Sequence, residues 1–171
     1  IINDRNHDGV IGAEDKTVIG NQIPRFCYGI NWGFSYKNLD FSCFFQGVGN
    51  VDSFWGRDKI EPLGVMSALE EHYTDSFNPK QPNSDAYYPR MLSSWRYNYD
   101  NFSHWVQDAS YLRLKNIQIG YSFSFSKAKI EKLRLTFSGQ NIFTLTKCRV
   151  FDPESAIVGI SFPNVAVYSF G

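Results

Sequence analysis

The chain has 171 residues, the size of a single domain, and its 17 basic and 17 acidic side chains cancel. That balance excludes the electropositive surface of a general nucleic-acid binder and leaves no polybasic membrane patch. Phe, Tyr and Trp supply 17% of the residues, which excludes a disordered chain. No apolar run approaches the ~18 residues of a membrane-spanning helix. The three cysteines, Cys27, Cys43 and Cys148, are odd in number and widely spaced, so they suggest neither a disulfide framework nor a zinc ribbon. The chain starts at Ile1 with no signal peptide, and a piece of a longer polypeptide is expected.

The first feature is an acidic loop, Asp4-Arg5-Asn6-His7-Asp8-Gly9-Val10-Ile11-Gly12-Ala13-Glu14-Asp15. Numbered from Asp4, oxygen-bearing side chains stand at positions 1, 3, 5 and 12, namely Asp4, Asn6, Asp8 and Asp15. Gly9 falls where the backbone must turn sharply, Val10 where a backbone carbonyl is used, and Ile11 where an apolar anchor is usual. This is the EF-hand spacing, which predicts a structural calcium ion of modest affinity, because Asp15 replaces the longer Glu at the last position. The alternative is an Asx-rich surface turn that binds nothing.

From Tyr28 the chain alternates. Tyr28, Ile30, Trp32, Phe34 and Tyr36 share one face of a predicted strand, and Gly29, Asn31, Gly33 and Ser35 share the other. Lys37-Asn38 reads as a tight turn, with Asn tolerating the left-handed backbone. Leu39, Phe41, Cys43 and Phe45 then alternate with Asp40, Ser42 and Gln46. A two-residue turn sets Tyr36 against Leu39, Phe34 against Phe41 and Trp32 against Cys43, so the apolar faces coincide.

A long connection at about 48–110 carries Phe54, Trp55, Tyr73, Tyr87, Tyr88, Trp95, Tyr97, Tyr99 and Trp105 among Asn, Asp and Arg. Rings beside polar groups suit stacking of a sugar or peptide, and Trp55, Trp95 and Tyr97 are the candidate ligand contacts. The alternative is that the rings pack the loop against itself or a partner. Beyond it, Ile117, Ile119, Tyr121, Phe123 and Phe125 alternate with Gln118, Gly120, Ser122 and Ser124. A short connection, Ser126 to Lys132, leads to Leu133, Leu135 and Phe137 alternating with Arg134, Thr136 and Ser138. Tyr168 and Phe170 begin a further strand.

An antiparallel sheet with one apolar face fits a soluble sandwich or a membrane barrel. Tyr28 and Tyr36 are eight residues apart, roughly 27 Å at about 3.4 Å per residue. A tilt of about 40° brings this near the ~25 Å apolar band of a barrel flanked by aromatic girdles. The other face is Gly, Ser, Asn and Gln rather than Lys and Glu, which suits a watery interior. Short turns alternate with long loops, as periplasmic turns alternate with extracellular loops in such barrels. All three features favour the barrel. Five strands cannot close one, which again implies a longer chain. The competing expectation is a secreted, calcium-stabilised β-sandwich module that binds carbohydrate through Trp55 and Trp95.

Catalysis has no support. His7, His72 and His104 lack metal-hydrolase spacing, no nucleophile elbow frames a Ser, and no phosphate-binding or dinucleotide loop is present.

Asp4–Gly9 with Asp15 and Val18-Ile19-Gly20 resembles the "DxNxDGxI…D…VIG" segment of SusC/RagA-type TonB-linked outer-membrane proteins. Phe44-Phe45-Gln46-Gly47-Val48-Gly49 resembles that family's "FFQGV" strand end. Asn78-Pro79, Tyr88-Pro89-Arg90 and Trp105–Asn116 are similar to its "NP…PR…WLEDGSYLRLKN" stretch. Ile119-Gly120-Tyr121, Ser138–Thr144 and Phe151-Asp152-Pro153-Glu154 continue the match in order. Each piece is short, but the collinear series covers nearly the whole chain. Ala109 stands where the family more often has Gly.

The resemblance implies an all-β fold, in which antiparallel up-and-down strands form the C-terminal part of a large barrel of about 22 strands with a plugged lumen. It implies uptake of oligosaccharides or peptides across the outer membrane of Bacteroidetes, energised by TonB through an N-terminal part this chain lacks. A SusD-like surface lipoprotein would cap the outer mouth, and lipid would surround the strands. On this reading residues 1–27 form an extracellular loop holding the calcium site. Residues 28–171 supply barrel strands with extracellular loops at about 48–110 and 143–163, and Lys37-Asn38 and Ser126–Lys132 turn on the periplasmic side.

Overall fold

The computed structural model describes residues 4–55, 61, 70–91, 102–125, 132–149, 151–158 and 162–171. Seven strands form within them: β1 (Phe26–Tyr36), β2 (Leu39–Gly49), β3 (Asp52–Phe54), β4 (Val106–Asp108), β5 (Tyr111–Ser124), β6 (Lys132–Thr146) and β7 (Val167–Phe170). Two short helices, α1 (Glu70–Thr74) and α2 (Pro153–Val158), lie in the connections. The main sheet is wholly antiparallel in the order β1-β2-β5-β6-β7, and β3 pairs with β4 in a separate ribbon. Successive long strands are therefore neighbours, as in an up-and-down meander, with the β3–β4 excursion leaving the sheet between β2 and β5.

The β1–β2 register is the one the alternation demands: Tyr36 opposes Leu39, Phe34 opposes Phe41 and Trp32 opposes Cys43. The left-handed residue of the turn is Lys37 (φ 54°) rather than Asn38. A positive φ at the first central position also matches the twist of the strands, as in II′ turns. The expected Ser126–Lys132 turn lies almost wholly outside the described residues.

One face of the sheet is a continuous field of apolar side chains. Across one row run Phe34, Phe41, Ile119, Phe137 and Phe170, each opposite the next in register. Trp32, Phe34 and Phe41 pack edge-on and stacked, with ring centroids 5.4–5.8 Å apart. These rings touch each other yet are not covered, and Trp32 remains 59% exposed. Among the described residues no second sheet packs over this face. The sandwich expectation needed such a sheet, and the fold corrects it.

The strands are longer than their alternating cores suggested. β5 starts at Tyr111 and β6 runs to Thr146, so part of each connection is strand. A bulge makes this possible. Leu114 pairs with Phe45 and Asn116 with Phe44, leaving Lys115 extra on β5. On β6 two residues, Asn141 and Ile142, lie between the partners of Leu114 and Asn116. An extra residue reverses the face on which side chains emerge. Arg113 thus shares the polar face, while two positions past the bulge Ile117 points to the apolar one. Gly139 is bare because the Ile142 side chain lies where its Cβ would be.

The buried core sits at the long-loop end of the sheet. Trp55, Tyr88, Trp105 and Cys148 form one cluster, with Phe54, Tyr87, Phe102 and Phe151 packed around it. Val48, Val51, Ala109 and Tyr111 form a second, where the ribbon leaves the sheet.

Candidate functional site

Three groups of side chains offer chemistry. The first is the polar face of the sheet. Gly33, Ser42, Gln118, Ser138 and Ser169 lie in one row and Asn31, Phe44, Asn116 and Gln140 in the next. All of these but Ser169 floor a concavity of about 460 Å³, where Phe44 stands among side-chain amides and hydroxyls. Nearer the Lys37-Asn38 turn, Arg134 Nη2 donates to Asp40 Oδ2 at 2.7 Å, bridging strands that are not neighbours. Gly120, between them, leaves the room: a Cβ there would sit 2.6 Å from the Asp40 carboxylate and 2.8 Å from the Arg134 guanidinium. Such a surface can solvate or hydrogen-bond a polar chain.

The second group lies at the long-loop end of the same face. Arg113 is only 2% exposed. It donates from Nη2 to Asp152 Oδ2 (2.6 Å) and from Nη1 to Glu154 Oε2 (3.2 Å). Lys115 Nζ donates to both Glu154 oxygens at 2.8–2.9 Å, and Asn164 reaches Asp152 with its N–H and Glu154 with its side-chain amide. Asp152 and Pro153 fold the turn locally: Asp152 Oδ1 accepts the Glu154 N–H at 3.0 Å, and Pro153 opens α2 where its missing N–H costs nothing. Burial pushes the Asp152 carboxyl up, but the Arg113 guanidinium and the Glu154 and Asn164 N–H groups outweigh it and hold the pKa below the ordinary value. Within the aromatic cluster of the long loop, burial pushes the Tyr87 and Tyr88 hydroxyls up. Both phenols are thereby kept neutral, as hydrogen-bonding groups rather than proton carriers.

The third group is the acidic loop. Asp4 accepts the N–H of His7 (2.7 Å) and of Gly9 (2.8 Å), Asp8 that of Val10 (2.7 Å), and Asn6 that of Asp8 (3.2 Å). Asp15 accepts the N–H of Arg5 and of Gly12, both at 2.8 Å. Those two bonds draw the ends of the loop together and lower the Asp15 pKa. His7 (φ 60°) and Gly9 (φ 81°) make the sharp turn. The closed ring fits the spacing expected for calcium, but the carboxylates are turned onto backbone amides. Among the described residues no three acidic, His or Cys side chains converge as a metal site.

Of the candidate ligand-binding rings, Trp55 requires a correction. It is fully buried, edge-on to Phe151 at 5.2 Å, so it has no free face on which a sugar or peptide could stack. Its burial follows from pairing: the Trp55 backbone N–H donates to the Trp105 carbonyl at 2.9 Å, which continues the β3–β4 ribbon and turns both indoles into the cluster. Trp95 and Tyr97 lie outside the described residues. Reading the sequence missed Arg113, Lys115, Asp152 and Glu154 as a unit. The available signal was two cations two residues apart in a strand otherwise free of charge.

No family model matches the chain. The comparisons with individual proteins are specific. TonB-dependent receptor P26 of Formosa agariphila is 31% identical over 91% of this chain, and TonB-dependent receptor P3 of the same organism is 30% identical over 98%. TonB-dependent receptor SusC of Bacteroides thetaiotaomicron is 26% identical over 98%.

The chain belongs to the TonB-dependent receptors.

It spans 16–18% of the length of these relatives, and is a C-terminal segment of such a receptor. Structures of the RagAB peptide transporter and of the RagAB peptide importer in its closed-closed state share the fold. They superpose with TM-scores of 0.61 and 0.63 over 84% and 88% of this chain, at 23% and 20% identity, and this chain covers 16% and 17% of theirs.

Proposed function

We propose that the five-stranded sheet is a sector of the wall of an outer-membrane barrel that imports oligosaccharides or peptides, powered by TonB and capped outside by a SusD-like lipoprotein. The observation that carries this reading is the two-sided sheet. Its outer face offers uncovered rings that only lipid would cover favourably, and its inner face offers the amide and hydroxyl rows of a watery pore. The long loops, all at one end, are extracellular on this reading, and the Lys37-Asn38 turn is periplasmic. RagAB, whose fold the sheet shares, is described as a peptide importer, which supports cargo of that polarity.

The test is a full-length receptor carrying Phe34→Cys, with its native cysteines replaced. A lipid-soluble maleimide should label position 34 in the outer-membrane fraction, and a water-soluble one should not. A soluble product, or one labelled equally by both reagents, would overturn the reading.

Calcium at Asp4, Asn6, Asp8, Asp15 and the Val10 carbonyl belongs to the same proposal, as a brace for the loop that leads into β1. It rests on the spacing and on the ring closed by Asp15. Titration calorimetry of the full-length receptor should give calcium-linked heat that Asp8→Ala abolishes. Equal heat with and without the substitution would end it.

A further inference from the structure

We propose that Arg113 and Lys115 are positioning residues that clasp the β6–β7 loop onto the inner face of the sheet, so that the acidic turn Asp152–Ser155 lines the wall of the pore rather than standing free above it. The inference rests on reading the polar face as that wall.

Three observations carry it. Arg113 projects from the polar face and donates there to Asp152 and Glu154, and Lys115 and Asn164 donate to the same Glu154 beside it. The contact spans the loop at both its ends, since Asp152 is bonded by Arg113 from the strand and by the Asn164 N–H from the returning chain. The bulge serves the same arrangement. Were the same residues of β5 to pair without the bulge, Arg113, Lys115 and Ile117 would share one face, so either Ile117 and the rings after it would face the polar side or Arg113 and Lys115 the apolar side. Bulges that re-aim a side chain in this way recur beside functional sites.

Packing alone does not explain the choice of residues. An apolar side chain of Arg113's length would fill the same space without desolvating a guanidinium. A pair of carboxylates brought to a strand face, however, is held only if cations meet them there. The clasp neutralises itself, two cations against two carboxylates. A polar cargo passing this level of the wall would meet a hydrogen-bonding rather than a charged surface. Asp152 and Glu154 also occupy the strand's two cations, so an anionic cargo group does not find them free.

The test uses a full-length receptor with Cys27, Cys43 and Cys148 replaced by Ala and with Ser155→Cys as reporter. Ser155 is 9% exposed and donates to the Asp152 carbonyl, so a thiol there should react slowly with a water-soluble maleimide. Arg113→Met keeps the length and removes the charge. It should raise the labelling rate at least about tenfold, whereas Arg113→Lys should stay within about threefold of the parent. Labelling as slow in Arg113→Met as in the parent would overturn the proposal. If Arg113→Met fails to assemble, the pair Asp152→Asn and Glu154→Gln breaks the clasp from the loop side and should give the same rise. Unchanged protection in that variant would be equally fatal. Membrane flotation of the same samples tests the barrel separately: a soluble product would remove the pore while the labelling contrast still decides whether the clasp holds the loop.

Discussion

The same residue types do opposite things at the two ends of this molecule. On the sheet, Trp32, Phe34 and Phe41 stand in a field that the chain leaves open. In the loop body, Trp55 and Trp105 are fully buried within a ring cluster, Trp55 edge-on to Phe151 and Trp105 edge-on to Tyr87. The difference lies in what surrounds each. A strand in a single-layer sheet buries nothing on its outer face unless another medium covers it. The loop body folds back through the β3–β4 ribbon and makes its own interior. On the proposed reading the apolar face of the sheet meets lipid and the loops meet water, with the boundary near Val48 and Tyr111, where the second buried cluster begins.

The largest expected effect tests the watery half. Trp105→Ala should destabilise the loop body by about 3–5 kcal/mol, as large-to-small changes at fully buried rings do. Limited proteolysis between β3 and β4 should accelerate accordingly, while the barrel's heat-modifiable gel mobility stays unchanged. If the strands unfold along with the loop, the two regions are one cooperative unit and the comparison fails. The next effect tests the apolar half. Trp32 lies midway between Tyr28 and Tyr36 on β1, so Trp32→Arg should cost about 2–4 kcal/mol of folding into bilayers. Ser42→Arg, at nearly the same height on the opposite face, should cost far less. Urea titrations of both variants in lipid vesicles read the contrast directly, and equal costs would mean that neither face meets lipid.

What the sequence made legible follows the same division. Wherever two strands alternate without interruption, as β1 and β2 do, period and turn length together set the register, and the Trp32–Cys43 pairing could be read in advance. The bulge at Lys115 could not. It arises from unequal residue counts on three strands at once, none on β2, one on β5 and two on β6, and a single strand's pattern does not contain that comparison. The clasp was hidden for a related reason: Arg113 and Asp152 are 39 residues apart, and nothing local to either marks the other. The aromatic loop announced its rings but not their directions. Trp55 looks like a binding platform until its backbone bond to Trp105 turns it inward. The acidic loop was legible as spacing, and its turn at Gly9 follows.

A smaller effect probes the clasp that joins the two regions. Asp152 has its folded pKa lowered, so its stabilising contribution is complete above its unfolded value of about 3.9 and is lost as pH falls through the lower folded value. The groups that face it are Arg113, Glu154 and Asn164. A spin label at Phe162→Cys, on an exposed loop position, should keep one line shape from about pH 7 to about pH 4 and become more mobile below. Asp152→Asn should be mobile across the whole range. A label as immobile in Asp152→Asn as in the parent at neutral pH would show that this carboxylate does not hold the loop.

The smallest effect distinguishes two glycines of the polar face. At Gly120 an added Cβ meets only the ends of the Asp40 and Arg134 side chains, and that ion pair is substantially exposed. Both side chains can swing aside, so Gly120→Ala should cost under about 1 kcal/mol, the worth of a surface pair. At Gly33 the added Cβ would lie 2.9 Å from the Phe41 carbonyl oxygen. That atom is fixed by the β1–β2 ladder, and relief requires the strands to shift. Gly33→Ala should therefore be the more destabilising of the two in a urea titration. The reverse order would mean that the Asp40–Arg134 bridge is rigid, and that the inner face is stapled across three strands as firmly as the loop body is packed.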